Sequence, residues 1–344
     1  MKRFSCGCGL RVFFDDYHCT ACGAELGYAP TRAEMLARRP GETGFADAVG
    51  ALWRPCAHRA VHRACNWLIA ADDTADFCLA CRLNDVIPNL GTAQNLRLWR
   101  RTEQAKRRLV YSLIAFGLPR EGKMVRAPLR FEFLEDQRSN PQVAESLVMT
   151  GHRAGIITIN LLEADDAARY AVREQMAERY RTLLGHFRHE SGHFYEELLV
   201  AAGAPRNEYR SLFGDERSDY SAALERYHQH GPAHDWADHC ISPYASSHPM
   251  EDWAESWAHY LHITDALETA RATGLLTAAP GANWDEEIAH WISCAVRLNE
   301  LSRSLGTDDV YPFVLNGPVR AKLGFIHRRL AAVRPDAAAA AAVR

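Results

Sequence analysis

No run of about eighteen apolar residues occurs anywhere in this 344-residue chain, so no segment is long enough to cross a bilayer as a helix. The first residues, Met-Lys-Arg-Phe-Ser-Cys, hold no apolar stretch of signal-peptide length. An excess of one charge is also missing. There are 40 Lys and Arg against 43 Asp and Glu, a net charge of −3. That balance argues against the global basic field by which proteins gather nucleic acid. No sustained internal repeat is present, which sets aside solenoids and propellers. Cysteine is scarce after residue 81: of the ten, only Cys240 and Cys294 lie beyond it. Those two stand alone and are expected to be buried thiols. The thiols and the chain ends together lead us to expect a reduced, cytoplasmic setting.

What is present begins with His189-Glu190-Ser191-Gly192-His193, an H-E-x-x-H match. On a helix, positions i and i+4 lie one turn apart on one face. Both imidazoles can then reach one metal ion, and Glu190 can reach a water molecule beside it. This is the minimal apparatus of zinc-assisted hydrolysis. Leu183, Leu184, Phe187, Phe194, Leu198 and Leu199 recur at helical spacing around the motif, so the histidines fall inside an amphipathic helix. Upstream, Gly155-Ile-Ile-Thr-Ile-Asn-Leu-Leu162 is rich in β-branched residues and reads as a strand. Its stretch Ile156–Asn160 is expected to pair with extended substrate at a sheet edge.

A catalytic zinc takes three protein ligands and leaves a position for water. The segment from Tyr244 to Tyr260 offers the third. Pro249 fits the first turn of a helix. Glu251 and Glu255 follow at i and i+4, and Trp253, Trp257, Tyr260 and Leu261 give an apolar face. One acid of such a pair can bind metal while the other accepts the free N–H of a ligand histidine. The alternative is an acidic first turn suited to the helix dipole, which is the reading of Asp252. Between His193 and Glu251 lie 57 residues, with a helix expected over Asp219–His230 and stopped by Gly231-Pro232. This insertion is expected to line or cover the cleft. Its histidines, His228, His230, His234 and His239, are the other candidates for the third ligand.

Cys6-Gly-Cys8 followed by Cys19-Thr-Ala-Cys22, across a β-like stretch from Leu10 to Phe14, reads as a zinc ribbon. Four thiolates make a closed, structural site. Cys56, Cys65, Cys78 and Cys81 form a second set whose first pair is widely spaced, so His58 or His62 is an alternative ligand there. Disulfides are the rival to both, but C-x-x-C spacing without a secretion signal favours metal. One catalytic and two structural Zn2+ are expected.

The expected organisation is a ribbon over residues 1–30, a second four-cysteine zinc-binding module over 53–85, a catalytic domain over 90–334 and a disordered Ala-rich tail over 335–344. A helix is expected from Thr92 to about Phe116. Its Arg97, Arg100, Arg101, Lys106, Arg107 and Arg108 read as a solvated face opposite Leu96, Trp99, Leu109, Leu113 and Phe116. Strands are expected near Leu129–Leu134 and Gly155–Leu162.

H-E-x-x-H followed by a helix bearing E-x-x-x-E resembles the gluzincin group of zinc peptidases. The resemblance implies that Glu251 binds the zinc and that Glu255 supports a ligand histidine. Some lethal-factor-type gluzincins place a tyrosine seven residues before the ligand Glu, where Tyr244 stands here. The resemblance gives its hydroxyl the role of donor to the oxyanion, and the alternative is a packed tyrosine with a satisfied hydroxyl. The Cys modules, Cys65-Asn-Trp67, Leu183-Leu-Gly-His-Phe-Arg-His-Glu190 and His248-Pro-Met-Glu-Asp-Trp-Ala-Glu255 together resemble a bacterial family of zinc-ribbon-containing zinc-binding metallopeptidases, over nearly the full chain. That implies an α+β fold, with a mainly helical zincin-like domain behind a small N-terminal zinc-ribbon region. It also implies a peptide or protein substrate, with Glu190 as general base. Zinc ribbons offer a route to a protein partner. They also keep open a nucleic-acid-associated zinc protein or protease, disfavoured by the charge. A non-catalytic zinc scaffold is disfavoured by the intact Glu190.

Overall fold

The structure is a computed structural model that describes residues 1–121, 124–176, 178, 180–200 and 203–333. The expected tail over 335–344 lies outside the described residues. The fold is α+β, β-rich at the N-terminus and mainly helical after it. The chain divides into two compact units. One comprises Met1–Tyr111, Arg130–Gly151 and Thr158–Tyr170, and the other Ser112–Leu129, His152–Ile157 and Ala171–Arg344.

The first unit opens with the hairpin β1 (Phe4–Ser5) and β2 (Arg11–Val12). Next come the hairpin β3 (Glu25–Ala29) and β4 (Glu34–Arg38), then β5 (Phe45–Ala46), β6 (Leu52–Pro55), α1 (Ala57–His62) and β7 (Leu68–Ala70), with β5, β6 and β7 in one antiparallel sheet. Each turn of the first Cys cluster closes with a glycine that takes the left-handed backbone: Gly9 at φ 90° after Cys6-Gly-Cys8, and Gly23 at φ 71° after Cys19-Thr-Ala-Cys22. Phe4, Phe14, Tyr28, Trp67 and Tyr111 pack edge-on and tilted into the core of this unit.

Strand β8 (Asn84–Val86) and helix α2 (Ala93–Ala115) follow. The six basic residues of α2 do not form one solvated face, contrary to expectation. Lys106 and Arg107 are buried, because Lys106 pairs with the buried Glu103 at 2.9 Å and Arg107 donates to the Ala64 carbonyl. Arg97 and Arg101 pair with Asp165 and Asp166, and Arg108 with Asp15. Strands β9 (Arg130–Leu134), β10 (Gly151–Arg153) and β11 (Ile156–Asn160) complete a four-stranded sheet of order β10-β11-β9-β8. β11 therefore lies inside the sheet, and the edge expected of it belongs to β10. A turn through Ala154 (φ 50°) and Gly155 (φ 90°) joins β10 to β11.

The helices are α3 (Asp166–Gln175), α4 (Leu183–Leu199), α5 (Ala204–Phe213), α6 (Tyr220–His230), α7 (Trp236–His239), α8 (Pro249–Thr273), α9 (Trp284–Ser304) and α10 (Gly317–Val333). Thr182 starts α4 by accepting from the Gly185 N–H. α8 begins with His248 as cap and Pro249 in its first turn, and ends at Gly274 in the left-handed region. α4 and α8 pack closely. A Cβ on Gly192 would lie 3.0 Å from the Ala254 Cα and 2.9 Å from Trp257 Cδ1, so only glycine permits this approach. Trp253 Nε1 donates to the Gly192 carbonyl at 2.8 Å and Trp257 Nε1 to Ser191 Oγ at 3.0 Å. The pair between the two histidines of H-E-x-x-H is thus the packing face of α4. No helix among the described residues is long and apolar enough to cross a membrane.

Candidate metal centre

α4 carries His189 and His193 one turn apart, and the first turn of α8 carries Glu251. Their ligand atoms all lie within 4.8 Å of one another, and no fourth His, Cys, Asp or Glu joins them among the described residues. Glu251 is 1 % exposed. Its Oε2 lies 2.9 Å from His189 Nε2, and its Oε1 lies 3.6 Å from His193 Nε2. Yet Oε2 is buried with no hydrogen-bond donor directed at it among the described residues. A buried carboxylate whose two oxygens each face one imidazole nitrogen, with Oε2 left unsatisfied, suits a shared cation.

Glu255, one turn along α8, holds His189 from behind. His189 Nδ1 is 2.7 Å from Glu255 Oε1, so Nδ1–H donates there and Nε2 faces Glu251. Ser242 Oγ donates to the other oxygen of Glu255 at 2.7 Å. Burial opposes ionisation of Glu255, but His189, then His259 and Ser242, hold its carboxyl down to about 2. Burial also opposes charge on His189, yet Glu251 and Glu255 prevail and raise its pKa well above the ordinary histidine value. The Glu251 carboxyl is held well below its usual range by His189 and His193, against its burial. The field of this pocket therefore strongly favours a cation. These donors fit zinc: two imidazole nitrogens, one carboxylate oxygen and a carboxylate behind one imidazole.

Glu190 is 8 % exposed, and among the described residues no side chain or backbone group hydrogen-bonds its carboxylate. Tyr244 lies in a short turn before α8, with its ring 6.0 Å from that of His189. Burial, then Glu251, Tyr220 and Glu190, raise its pKa. Tyr220, which the sequence did not single out, donates to Glu251 Oε1 at 2.7 Å. His152, on β10, stacks on His193 at 6.5 Å between ring centroids.

The four histidines offered as alternative ligands, His228, His230, His234 and His239, are exposed and join no such cluster among the described residues. Asp252 is in the first turn of α8 as expected, but it is buried and paired with Lys322 at 2.5 Å. Burial pushes its carboxyl up to about 6 against the pull of Lys322. Cys294 is buried, whereas Cys240 is only partly so. A cavity of about 260 Å3 between Phe213, Arg226, His239, Ser247 and Asp252 does not include the His189–His193–Glu251 cluster.

The cysteines gather into two fours, Cys6, Cys8, Cys19 and Cys22, and Cys56, Cys65, Cys78 and Cys81, with the sulfurs of each four within 4.8 Å. Cys6 and Cys22 are 3.7 Å apart, Cys8 and Cys19 3.6 Å, and Cys65 and Cys78 3.6 Å. A disulfide needs roughly 2.05 Å, whereas four thiolates at about 2.3 Å from one zinc stand roughly 3.8 Å apart. The spacing fits metal. In the second four, Cys65 Sγ accepts from the Trp67 N–H at 3.4 Å and Cys56 Sγ from the Cys78 N–H at 3.5 Å. His58 and His62 instead pack their rings on Trp99.

Residues 3–92 match a zinc-ribbon domain, and residues 95–329 match the family described as "Putative zinc-binding metallo-peptidase". Among curated proteins, the chain is 39 % identical over 350 residues to an uncharacterized protein of Mycobacterium bovis, covering 98 % of this chain and 97 % of that one. Uncharacterized proteins from two strains of Mycobacterium tuberculosis match with the same identity and coverage. No solved structure matches. With 235 of its residues inside that match, the chain belongs to the zinc-binding metallo-peptidase family so described, with a zinc-ribbon domain fused ahead of it.

Proposed function

We propose that the chain is a gluzincin-like zinc peptidase whose residues 90–334 form the catalytic domain, behind zinc modules at 1–30 and 53–85. One observation supports this most. Three side chains of metal-ligand type meet within 4.8 Å, and the residue next to the first of them is a carboxylate that no group among the described residues hydrogen-bonds. In this reading His189, His193 and Glu251 hold the zinc and Glu255 orients His189. Zinc bound there would supply Lewis acidity, polarising the peptide carbonyl and bringing the pKa of water towards ~7. Glu190 takes the proton of the attacking water and delivers it to the leaving amine nitrogen. Tyr244 donates its hydroxyl to the developing oxyanion. The free edge of β10, beside His193, receives the extended substrate backbone. Both four-cysteine sites are structural.

A mixed peptide library tests this. Metal-loaded protein should cleave it, a chelator should stop cleavage, and added zinc should restore it. Glu190→Gln should keep its zinc and lose at least about 10²-fold in turnover. Undiminished cleavage by that variant would remove Glu190 as base. A fully loaded wild type that cleaves nothing would count against peptidase activity itself.

A further inference from the structure

Tyr220 lies in the insertion between the two metal-bearing helices, 31 residues before Glu251, yet its hydroxyl ends on that carboxylate. The two oxygens of Glu251 consequently differ. Oε1 accepts the tyrosine proton at 2.7 Å. Oε2 is buried, has no donor among the described residues, and faces His189 Nε2 at 2.9 Å. One oxygen is tied and the other is left for a cation.

The tyrosine is itself fixed from α8. His248 caps that helix, its Nδ1 accepting the Met250 N–H at 3.1 Å, so the ring proton is on Nε2. Nε2 lies 2.9 Å from Ser218 Oγ and 3.1 Å from the Ser218 carbonyl, two residues before Tyr220. The rings of His248 and Tyr220 meet edge to face at 5.2 Å. Asp219 caps α6 by accepting from the Ala222 N–H at 3.0 Å, which sets the first turn on which Tyr220 sits. A single buried histidine therefore starts the helix that presents Glu251 and clamps the chain that presents Tyr220.

We propose that Tyr220 is a positioning residue for the metal site, tying Oε1 of Glu251 so that the carboxylate binds the ion through Oε2 alone. A carboxylate free to bind through both oxygens would crowd the open corner that hydrolysis requires. A hydrogen bond to the non-binding oxygen holds the ligand in one orientation and sharpens its affinity. The inference rests on the metal reading of the His189–His193–Glu251 cluster, but not on peptidase activity.

The test uses the full chain with its chelator-accessible zinc removed and cobalt(II) returned. Cobalt bound by imidazole and carboxylate reports its coordination number in weak visible bands. Thiolate charge-transfer bands in the near ultraviolet mark any cobalt at the Cys sites, which is then discounted. Tyr220 is 39 % exposed, so Tyr220→Phe removes one oxygen without opening the core. The variant should bind cobalt roughly 10–100-fold more weakly than wild type. Its visible bands should lose intensity as the coordination number rises, while its unfolding transition stays that of wild type. A purely structural tyrosine would not alter the bands. Wild-type affinity with a wild-type spectrum in Tyr220→Phe overturns the role of Tyr220 and leaves the metal reading standing. Failure of wild type itself to take up cobalt at this site overturns both.

Discussion

In the proposed site Glu255 would act on the ion through His189, whose Nδ1 lies 2.7 Å from Glu255 Oε1. Glu255→Gln should therefore leave the ligand set complete and still lower zinc affinity at this site by about 10–100-fold. A competition titration against a zinc-binding dye reads this directly, and an unchanged affinity would deny Glu255 its supporting role. The pairing of His189 with His193, and of Glu251 with Glu255, could be read from the chain because i, i+4 is a local property of one helix. Tyr220 could not. Its bond to Glu251 closes across 31 residues, and no local pattern distinguishes a hydroxyl aimed at a distant carboxylate from one aimed at solvent. Arg107 was hidden for the same reason, since its acceptor, the Ala64 carbonyl, lies in another part of the chain.

Among elements, the contact of α4 with α8 decides the geometry of the centre, and Gly192 sets how close it is. In an exposed helix, Gly→Ala would gain about 1 kcal/mol of propensity. Here the new Cβ would meet the Ala254 Cα at 3.0 Å and Trp257 at 2.9 Å, and backbone cannot swing aside. The clash should win: Gly192→Ala should cost about 1–3 kcal/mol in denaturant unfolding and weaken metal binding with it. A gain in stability would show that the helices do not meet as described. Helices α2 and α6 and the start of α8 were legible from apolar spacing and from signals such as Gly231 and Pro249. Strand β10 was not, because three residues carry no periodicity. That omission made Ile156–Asn160 look like an edge strand, when pairing with β10 puts it inside the sheet.

For the whole molecule, the three candidate clusters among the described residues should, under the proposed reading, hold zinc with different resistance to removal. Cys8 and Cys22 of the first four are exposed, while all of Cys56, Cys65, Cys78 and Cys81 are buried. A thiol-modifying reagent should release zinc from the first Cys site before the second. A mild chelator should take the ion from the His189–His193–Glu251 cluster with neither Cys site emptied. Zinc release followed with a colour-forming indicator separates these phases, and early loss from the buried site would contradict the order. The cysteine spacing foretold two clusters, but it could not foretell their unequal exposure, because burial of the second involves residues distant in the chain, such as Glu103 beside Cys81. The most direct measurement is anomalous diffraction at the zinc edge from crystals of the full chain. It should place one peak about 2.0–2.2 Å from His189 Nε2, His193 Nε2 and a Glu251 oxygen, with solvent as the fourth neighbour. No peak there, or a fourth ligand supplied by the protein, would contradict a hydrolytic zinc centre.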